Sequence, residues 1–371
     1  MKKHIFRLPD GLAVAIGLGI LLAAGLFAAF WPQNDFSDVE RRYLAETPAV
    51  PSLTQWKTDK EVESFISDRI PFRRVMVGID ALSQMVTGRR TQLDTWPVGG
   101  AFLEKPVAVD EAVLQRRLEQ MEALAGKTGA ASWRMIIPTS HGYLKRTEMS
   151  SLMQKLYEAE GKLYHALAQT DAYVPLGDDF NSDHAYYNTD HHWTLQGTYA
   201  AYRAYCVAEQ MQPLALDAFE LTRFEGFYGT TYSRSGYPFA QADTIECAAP
   251  AGKVSLTILD DGREYDQLIF PARAETYDGY AVYLDGNHGM LEIANESAPQ
   301  GTLLVFKDSF ANSLLPLLSA HYSRIIAVDA RYYAGNFSDA VEIAGAVDRV
   351  LYIYSPDSLL HDTTVARKIG R

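Results

Sequence analysis

The chain has 371 residues, 47% of them hydrophobic and 22% charged, enough for a sizeable buried core and, at roughly 150 residues per domain, for two to three domains. Its 34 basic and 46 acidic residues leave a formal charge of −12, which argues against a sequence-independent grip on a nucleic-acid backbone. Modest Gly, Pro and Cys counts exclude collagen-like, low-complexity and disulfide-scaffold chains, while 22 tyrosines offer aromatic surface to sugars or to half-buried strands.

Gly11 to Trp31 carries no charge and is long enough to cross a hydrocarbon layer of about 30 Å as one helix. Lys2, Lys3 and Arg7 precede it; Asp35, Asp38 and Glu40 follow. The positive-inside rule then leaves the N-terminus in the cytoplasm and the remainder outside. A cleaved signal peptide is the rival reading, but the bulky Phe30-Trp31-Pro32 stands where cleavage wants small residues. Residues 1–31 are therefore expected to be a cytoplasmic tip and single-pass anchor in the cell membrane. Residues 32–60 follow as a proline-punctuated stalk, and 61–371 as an extracytoplasmic domain. Outside the cytoplasm Cys206 and Cys247 can form a disulfide or remain two buried thiols, and both readings stay open.

Apolar spacing predicts a helix from about Glu61 to Met85, interrupted at Pro71, and a short strand over Trp96–Leu103 with a Gly99-Gly100 turn. A helix over Ala112–Ala125, an apolar run at Arg134–Pro138 and helices near Ser151–Gln169 and Leu195–Gln210 follow. Residues 213 to 300 read as a β-rich insertion of hairpins and long loops. Beyond it, the buried runs Thr302–Phe306, Arg324–Val328 and Arg349–Tyr354 alternate with helices over Phe310–His321 and Ala340–Ala346. That alternation predicts an α/β fold, a doubly wound parallel sheet with helices on both faces.

Several motifs fail. Gly126-Lys127-Thr128 lacks the first glycine of a phosphate loop, and the usual zinc signatures and the G-x-S-x-G elbow are missing, so neither cofactor nor metal is expected. Two segments carry chemistry. In Thr189-Asp190-His191-His192-Trp193, strand alternation would put Asp190 and His192 on one side and turn His191 to the other, away from a shared metal. In Phe306-Lys307-Asp308-Ser309-Phe310, a hydroxyl stands where a buried strand ends and a helix begins, so helix N–H groups favour a developing oxyanion. Together they supply nucleophile, base and orienting acid. Arg331 can bind a carboxylate or phosphate, or pair with Asp329 or Asp308. Trp193, Tyr228, Tyr232 and Tyr332 are candidate sugar platforms or core residues.

The string Asp190-His191-His192-Trp193, with Lys307-Asp308-Ser309-Phe310 downstream, resembles the DHHW family of envelope proteins. That family is similar to the alginate O-acetylation proteins and, more distantly, to SGNH (GDSL-type) esterases. Phe36-Ser37 with Glu40-Arg41-Arg42 and Leu44, Asp68–Arg73, Gly286–Gly289 and Asp329–Tyr332 extend the likeness over roughly residues 36 to 355. The resemblance implies an SGNH-like fold, with Ser309 as nucleophile, His192 as general base and Asp190 as its orienting acid. Lys307 replaces the glycine of a Gly-Asp-Ser block, which leaves the oxyanion hole to the Ser309 N–H or, less directly, to Asn287, which also reads as a turn residue. The Asp/His pair precedes the serine instead of following it, implying a permuted order. The expected function is serine O-acetyl transfer to a cell-envelope or exopolysaccharide, with acetyl supplied by a membrane-bound O-acyltransferase. A polysaccharide acetylesterase and a non-catalytic polysaccharide-binding scaffold are the alternatives.

Overall fold

The computed structural model describes residues 57–70, 72–87, 95–140, 151–177, 180 and 184–370, together with 35–37, 42–46 and isolated positions between 11 and 23. The expected anchor Gly11–Trp31 lies largely outside the described residues, among which no helix is long and apolar enough to cross a membrane. The chain divides into two units, one running to Gln92 with Gly236–Phe239 added, the other comprising Leu93–Ser235 and Ala240–Arg371.

In the first unit, the short strands β1 (Phe36–Ser37) and β2 (Arg42–Tyr43) pair antiparallel. The expected broken helix is present as α1 (Lys57–Arg69) and α2 (Arg73–Val86). The corner between them places Phe72 at φ 61°, a left-handed conformation that costs a bulky residue about 1–2 kcal/mol. Asp68 accepts the Ala45 N–H at 2.8 Å and Arg69 donates to the Ala45 carbonyl at 2.7 Å, tying the segment after β2 to the end of α1.

The second unit is a mixed α/β structure. After the hairpin of β3 (Trp96–Val98) and β4 (Ala101–Leu103) come α3 (Glu111–Gly126), β5 (Ala131–Ile136), α4 (Ser151–Leu167) and α5 (Leu195–Ala208). The insertion contributes β6 (Phe219–Phe227), α6 (Thr230–Ser235), β7 (Asp243–Pro250), β8 (Ser255–Ile258), β9 (Arg263–Tyr265) and β10 (Met290–Ala294). The chain closes with β11 (Gln300–Lys307), α7 (Ala311–Leu318), β12 (Tyr322–Asp329), α8 (Phe337–Ala344), β13 (Arg349–Tyr354), α9 (Pro356–Leu360) and α10 (Thr363–Ile369).

Seven strands form the main sheet in the order β5-β13-β11-β12-β10-β8-β9. The first four are parallel; β10, β8 and β9 continue it antiparallel. The expected parallel sheet is thus found in four of the seven strands; part of the β-rich insertion extends it antiparallel, and β6 and β7 form a separate ribbon. Helices cover both faces, as expected, because the strands alternate. Leu303, Val305, Ile325 and Ala327 pack on one side with α5 and α7, and Leu304, Phe306, Ile326 and Val328 on the other with α3, α4 and α8. All eight are fully buried, each large side chain contributing about 1.5–3 kcal/mol.

The topology singles out β11. The chain leaves it through α7 to β12 on one side, then returns through α8 on the opposite face to β13 on the other. The carboxyl end of β11 is therefore the point where the winding reverses, and loops there splay apart to leave a crevice.

Candidate active site

Ser309 sits two residues beyond β11, at that reversal. The Asp308 carboxylate shapes the turn: one oxygen accepts the Phe310 N–H at 3.1 Å and the other the Ser355 N–H at 2.7 Å, while the Asp308 N–H donates to the Ile353 carbonyl at 3.1 Å. The N–H groups of Ala311 and Asn312 are taken by the carbonyls of Asp308 and Ser309, but among the described residues no acceptor takes the Ser309 N–H.

The imidazole arrives from a tight turn. Tyr186 and Trp193 face each other across a single antiparallel bridge, the Tyr187 N–H donates to the His192 carbonyl at 3.1 Å, and Thr194 then caps α5. Gly197 lets this turn lie against the helix, since a Cβ there would stand 2.2 Å from the Ala185 carbonyl oxygen. His192 Nε2 lies 2.8 Å from Ser309 Oγ, and Nδ1 lies 2.5 Å from Asp190 Oδ1, which also accepts the His192 N–H at 2.9 Å. The other Asp190 oxygen accepts the Thr230 N–H at 2.7 Å and its hydroxyl at 2.9 Å. Gly229 makes that approach possible: a Cβ there would fall 2.2 Å from the Asp190 Cβ.

Serine, histidine and aspartate thus form one hydrogen-bonded line. Because a carboxylate only accepts, Nδ1 carries the proton and Nε2 is left to accept from the serine hydroxyl. Burial lowers the His192 pKa to about 4 and proximity to His191 adds to this, outweighing the opposing pull of Asp190. The ring is neutral at pH 7.

Of the two readings open for Trp193, sugar platform and core, it takes the second. It is fully buried, and its indole N–H donates to Ser313 Oγ at 2.7 Å and to the Phe310 carbonyl at 3.1 Å. It pins the histidine turn to the start of the helix that follows Ser309. His191 does not turn away either: its ring lies 3.9 Å from that of His192, because residues 188–192 bend instead of running as a strand. One ligand atom from each of Asp190, His191 and His192 lies within 4.8 Å of the others, a cluster that can hold a metal ion. Binding one would break bonds already made, since both His192 nitrogens and both Asp190 oxygens have protein partners.

Sequence reasoning missed two residues. Tyr280 stacks face to face on His192, at 3.8 Å and 8° between planes, with its hydroxyl donating to Ser313 Oγ at 3.1 Å. Thr230 bridges Asp190 and His191. Neither stands in a recognisable motif.

A cavity of about 490 Å³ opens beside Ser309, bordered also by His191, Asp308, Arg331, Ser355 and His361. Arg331 pairs with Asp329 through Nε at 2.9 Å and Nη2 at 2.6 Å. Burial works against its charge, but Asp329 prevails and holds its pKa above the ordinary value. Asn287 and Tyr332 do not border the cavity. The Asn287 side-chain oxygen accepts from Asn312 at 3.0 Å, and Tyr332 is a half-exposed surface residue beside Arg331. Tyr228 is exposed and leans on Tyr232. Cys206 and Cys247 are both free and buried, with burial pushing each thiol up to about 12.

A mixed α/β unit that sets a hydroxyl, an imidazole and a carboxylate in line at its winding reversal has the makings of a serine acyl-transfer site. Residues 117–328, more than half of the chain, match the DHHW protein family, and the chain belongs to it. Its fold is similar to that of a DHHW family protein from Eubacterium siraeum, at 19% identity and TM-score 0.61 over 74% of this chain and 96% of that one. Bacillus cereus PatB1, solved with a sulfonyl adduct, is similar at 17% identity and TM-score 0.58 over 73% and 97%. The O-acetyltransferase domain of Pseudomonas putida AlgJ is more distant, at 13% identity and TM-score 0.42 over 74% and 94%. No curated protein matches the chain.

Proposed function

We propose that this protein is an SGNH-like serine O-acetyltransferase that acylates a cell-envelope or exopolysaccharide from the outer face of the cell membrane, held there by Gly11–Trp31. The observation that carries the reading is the 2.8 Å contact between His192 Nε2 and Ser309 Oγ, two groups 117 positions apart in sequence. In this reading His192 takes the Ser309 proton as Oγ attacks the acetyl carbonyl carbon. The Ser309 N–H meets the oxyanion, and the departing oxygen takes the proton back from His192, leaving acetyl-Ser309. A sugar hydroxyl then gives its proton to His192 and attacks the acyl carbon, and Ser309 leaves reprotonated.

Transfer and hydrolysis share this intermediate. Ser309 and His192 keep only 8% and 6% of their surface exposed, and transfer then depends on the acceptor displacing water from the cavity beside them. The proposed donor is a membrane-bound O-acyltransferase partner. Acetylesterase action and a non-catalytic scaffold are the outcomes that would replace this reading. A sulfonyl fluoride, chosen because PatB1 was captured with a sulfonyl adduct, should modify the protein at Ser309. Ser309→Ala and His192→Ala should abolish the labelling. If wild-type protein is not labelled and releases no acetate from an activated ester, the scaffold reading replaces this one.

A further inference from the structure

Acyl-serine chemistry gives His191 no task, yet the residue borders the cavity and its hydrogen bonds fix which nitrogen carries the proton. Its Nδ1 lies 2.8 Å from Thr230 Oγ1, which lies 2.9 Å from Asp190 Oδ2. A carboxylate only accepts, so the one Thr230 hydroxyl hydrogen goes to Asp190. Thr230 Oγ1 must then accept from His191, which puts the ring hydrogen on Nδ1. In a neutral imidazole this leaves Nε2 a bare acceptor, and among the described residues no protein group binds it. Asp190 thus sets both rings: His192 directly, with its acceptor nitrogen on the nucleophile, and His191 through Thr230.

We infer that His191 holds the acceptor sugar, its Nε2 taking a hydrogen bond from the hydroxyl next to the one that is acylated. The inference rests on the acyl-serine reading and gives it a substrate class, acceptors with hydroxyls on adjacent carbons. The two ring centroids stand 3.9 Å apart, close enough for one small acceptor to reach both imidazoles. In the transfer step the reacting hydroxyl gives its proton to His192 Nε2, a C–O bond forms to the acyl carbon and the bond to Ser309 Oγ breaks, with Oγ regaining the proton. The neighbouring hydroxyl stays intact, bound to His191, and orients the attack.

The test compares two acceptors competing for one acyl-enzyme, so its readout does not depend on how fast that species forms. The full-length protein is acylated with 4-nitrophenyl acetate, and transfer to glycerol, a vicinal diol, is measured against transfer to methanol. Wild type should favour glycerol. His191→Phe should cut that preference about tenfold, the worth of one hydrogen bond, while His191→Gln, which restores an acceptor, should keep most of it. An unchanged preference in the Phe variant, equal loss in both variants, or no preference in wild type would overturn the inference. If wild type forms no acyl-enzyme at all, the reading beneath it fails and the inference goes with it.

Discussion

Asp190→Asn is the perturbation whose consequence follows most directly from the hydrogen-bond line. The native carboxylate accepts from the His192 N–H and Nδ1 on one oxygen and from the Thr230 N–H and hydroxyl on the other. An amide has one accepting end. With its oxygen towards His192, its NH2 confronts the Thr230 N–H, donor against donor, in a site 1% exposed. Flipped, the NH2 confronts the imidazole and obliges Nδ1 to accept. The ring hydrogen then moves to Nε2, which can no longer take a proton from Ser309. Either arrangement also withdraws the negative charge that stabilises the imidazolium. The same exchange in serine triads costs about 10⁴ in turnover, so a loss of about 10³ to 10⁴ is expected here, or about 4–5.5 kcal/mol of barrier. Stopped-flow release of 4-nitrophenolate from 4-nitrophenyl acetate reads acylation, and circular dichroism checks that the variant folds. A folded Asn variant within tenfold of wild type would show that Asp190 is no orienting acid, and the mechanism built on it would fall.

The second expectation concerns pH. Burial lowers His192 to about 4, and only the neutral ring can act as base, so acylation should hold steady from neutrality to about pH 5 and fall below that. A midpoint above 6 in kcat/KM would contradict it. The unfolded chain gains this proton near pH 6.5 and the folded chain only near 4, so the fold should also lose stability as pH falls through that window. A third expectation is that Gly229→Ala disables the site by crowding Asp190. The added methyl would stand 2.2 Å from the Asp190 Cβ and 2.6 Å from its Cα, so Thr230 has to move away from the carboxylate. Overpacking of this kind costs about 1–3 kcal/mol. A Tm drop of several degrees with at least tenfold slower acylation should be measurable, and wild-type values for both would refute it.

Three strands of the sheet announce themselves in sequence because a parallel strand buried on both faces must be apolar at every position, as Thr302–Phe306, Arg324–Val328 and Arg349–Tyr354 nearly are. β10 does not, because what makes it part of the same sheet is register with a distant strand, Met290 opposite Val328 and Ala294 opposite Arg324, and nothing local encodes that pairing. The site divides the same way. Asp190, His192 and Ser309 stand in short strings whose residue types alone suggest proton transfer. Trp193 was readable as an aromatic but not as a joint, since its role depends on a carbonyl and a hydroxyl near Ser309, more than a hundred positions on. His191 was misplaced by assuming strand alternation where the backbone bends. Tyr280 reaches His192 only because the insertion folds back over the site.

Lys307 shows how a departure from a familiar pattern can be absorbed. Where a Gly-Asp-Ser block has no side chain, this protein must house a four-carbon ammonium one residue before the turn that holds Ser309. The side chain is fully buried, with Nζ donating to Asn312 Oδ1 at 2.7 Å and lying 3.7 Å from Asp329. Burial pulls its pKa down and Asp329 resists, and leaving such a cation unpartnered would cost several kcal/mol. Asp329 also binds Arg331, so one carboxylate stands between a cation inside the sheet and a cation at the cavity wall. The lysine therefore never enters the crevice. Its bond to Asn312 braces the first turn of α7, next to the segment from which the Ser309 N–H is presented, and Asn312 in turn fastens Asn287. A residue that departs from the Gly-Asp-Ser pattern is thus built into the support of the Ser309 turn, while Arg331, at the cavity wall, commits Nε and Nη2 to Asp329.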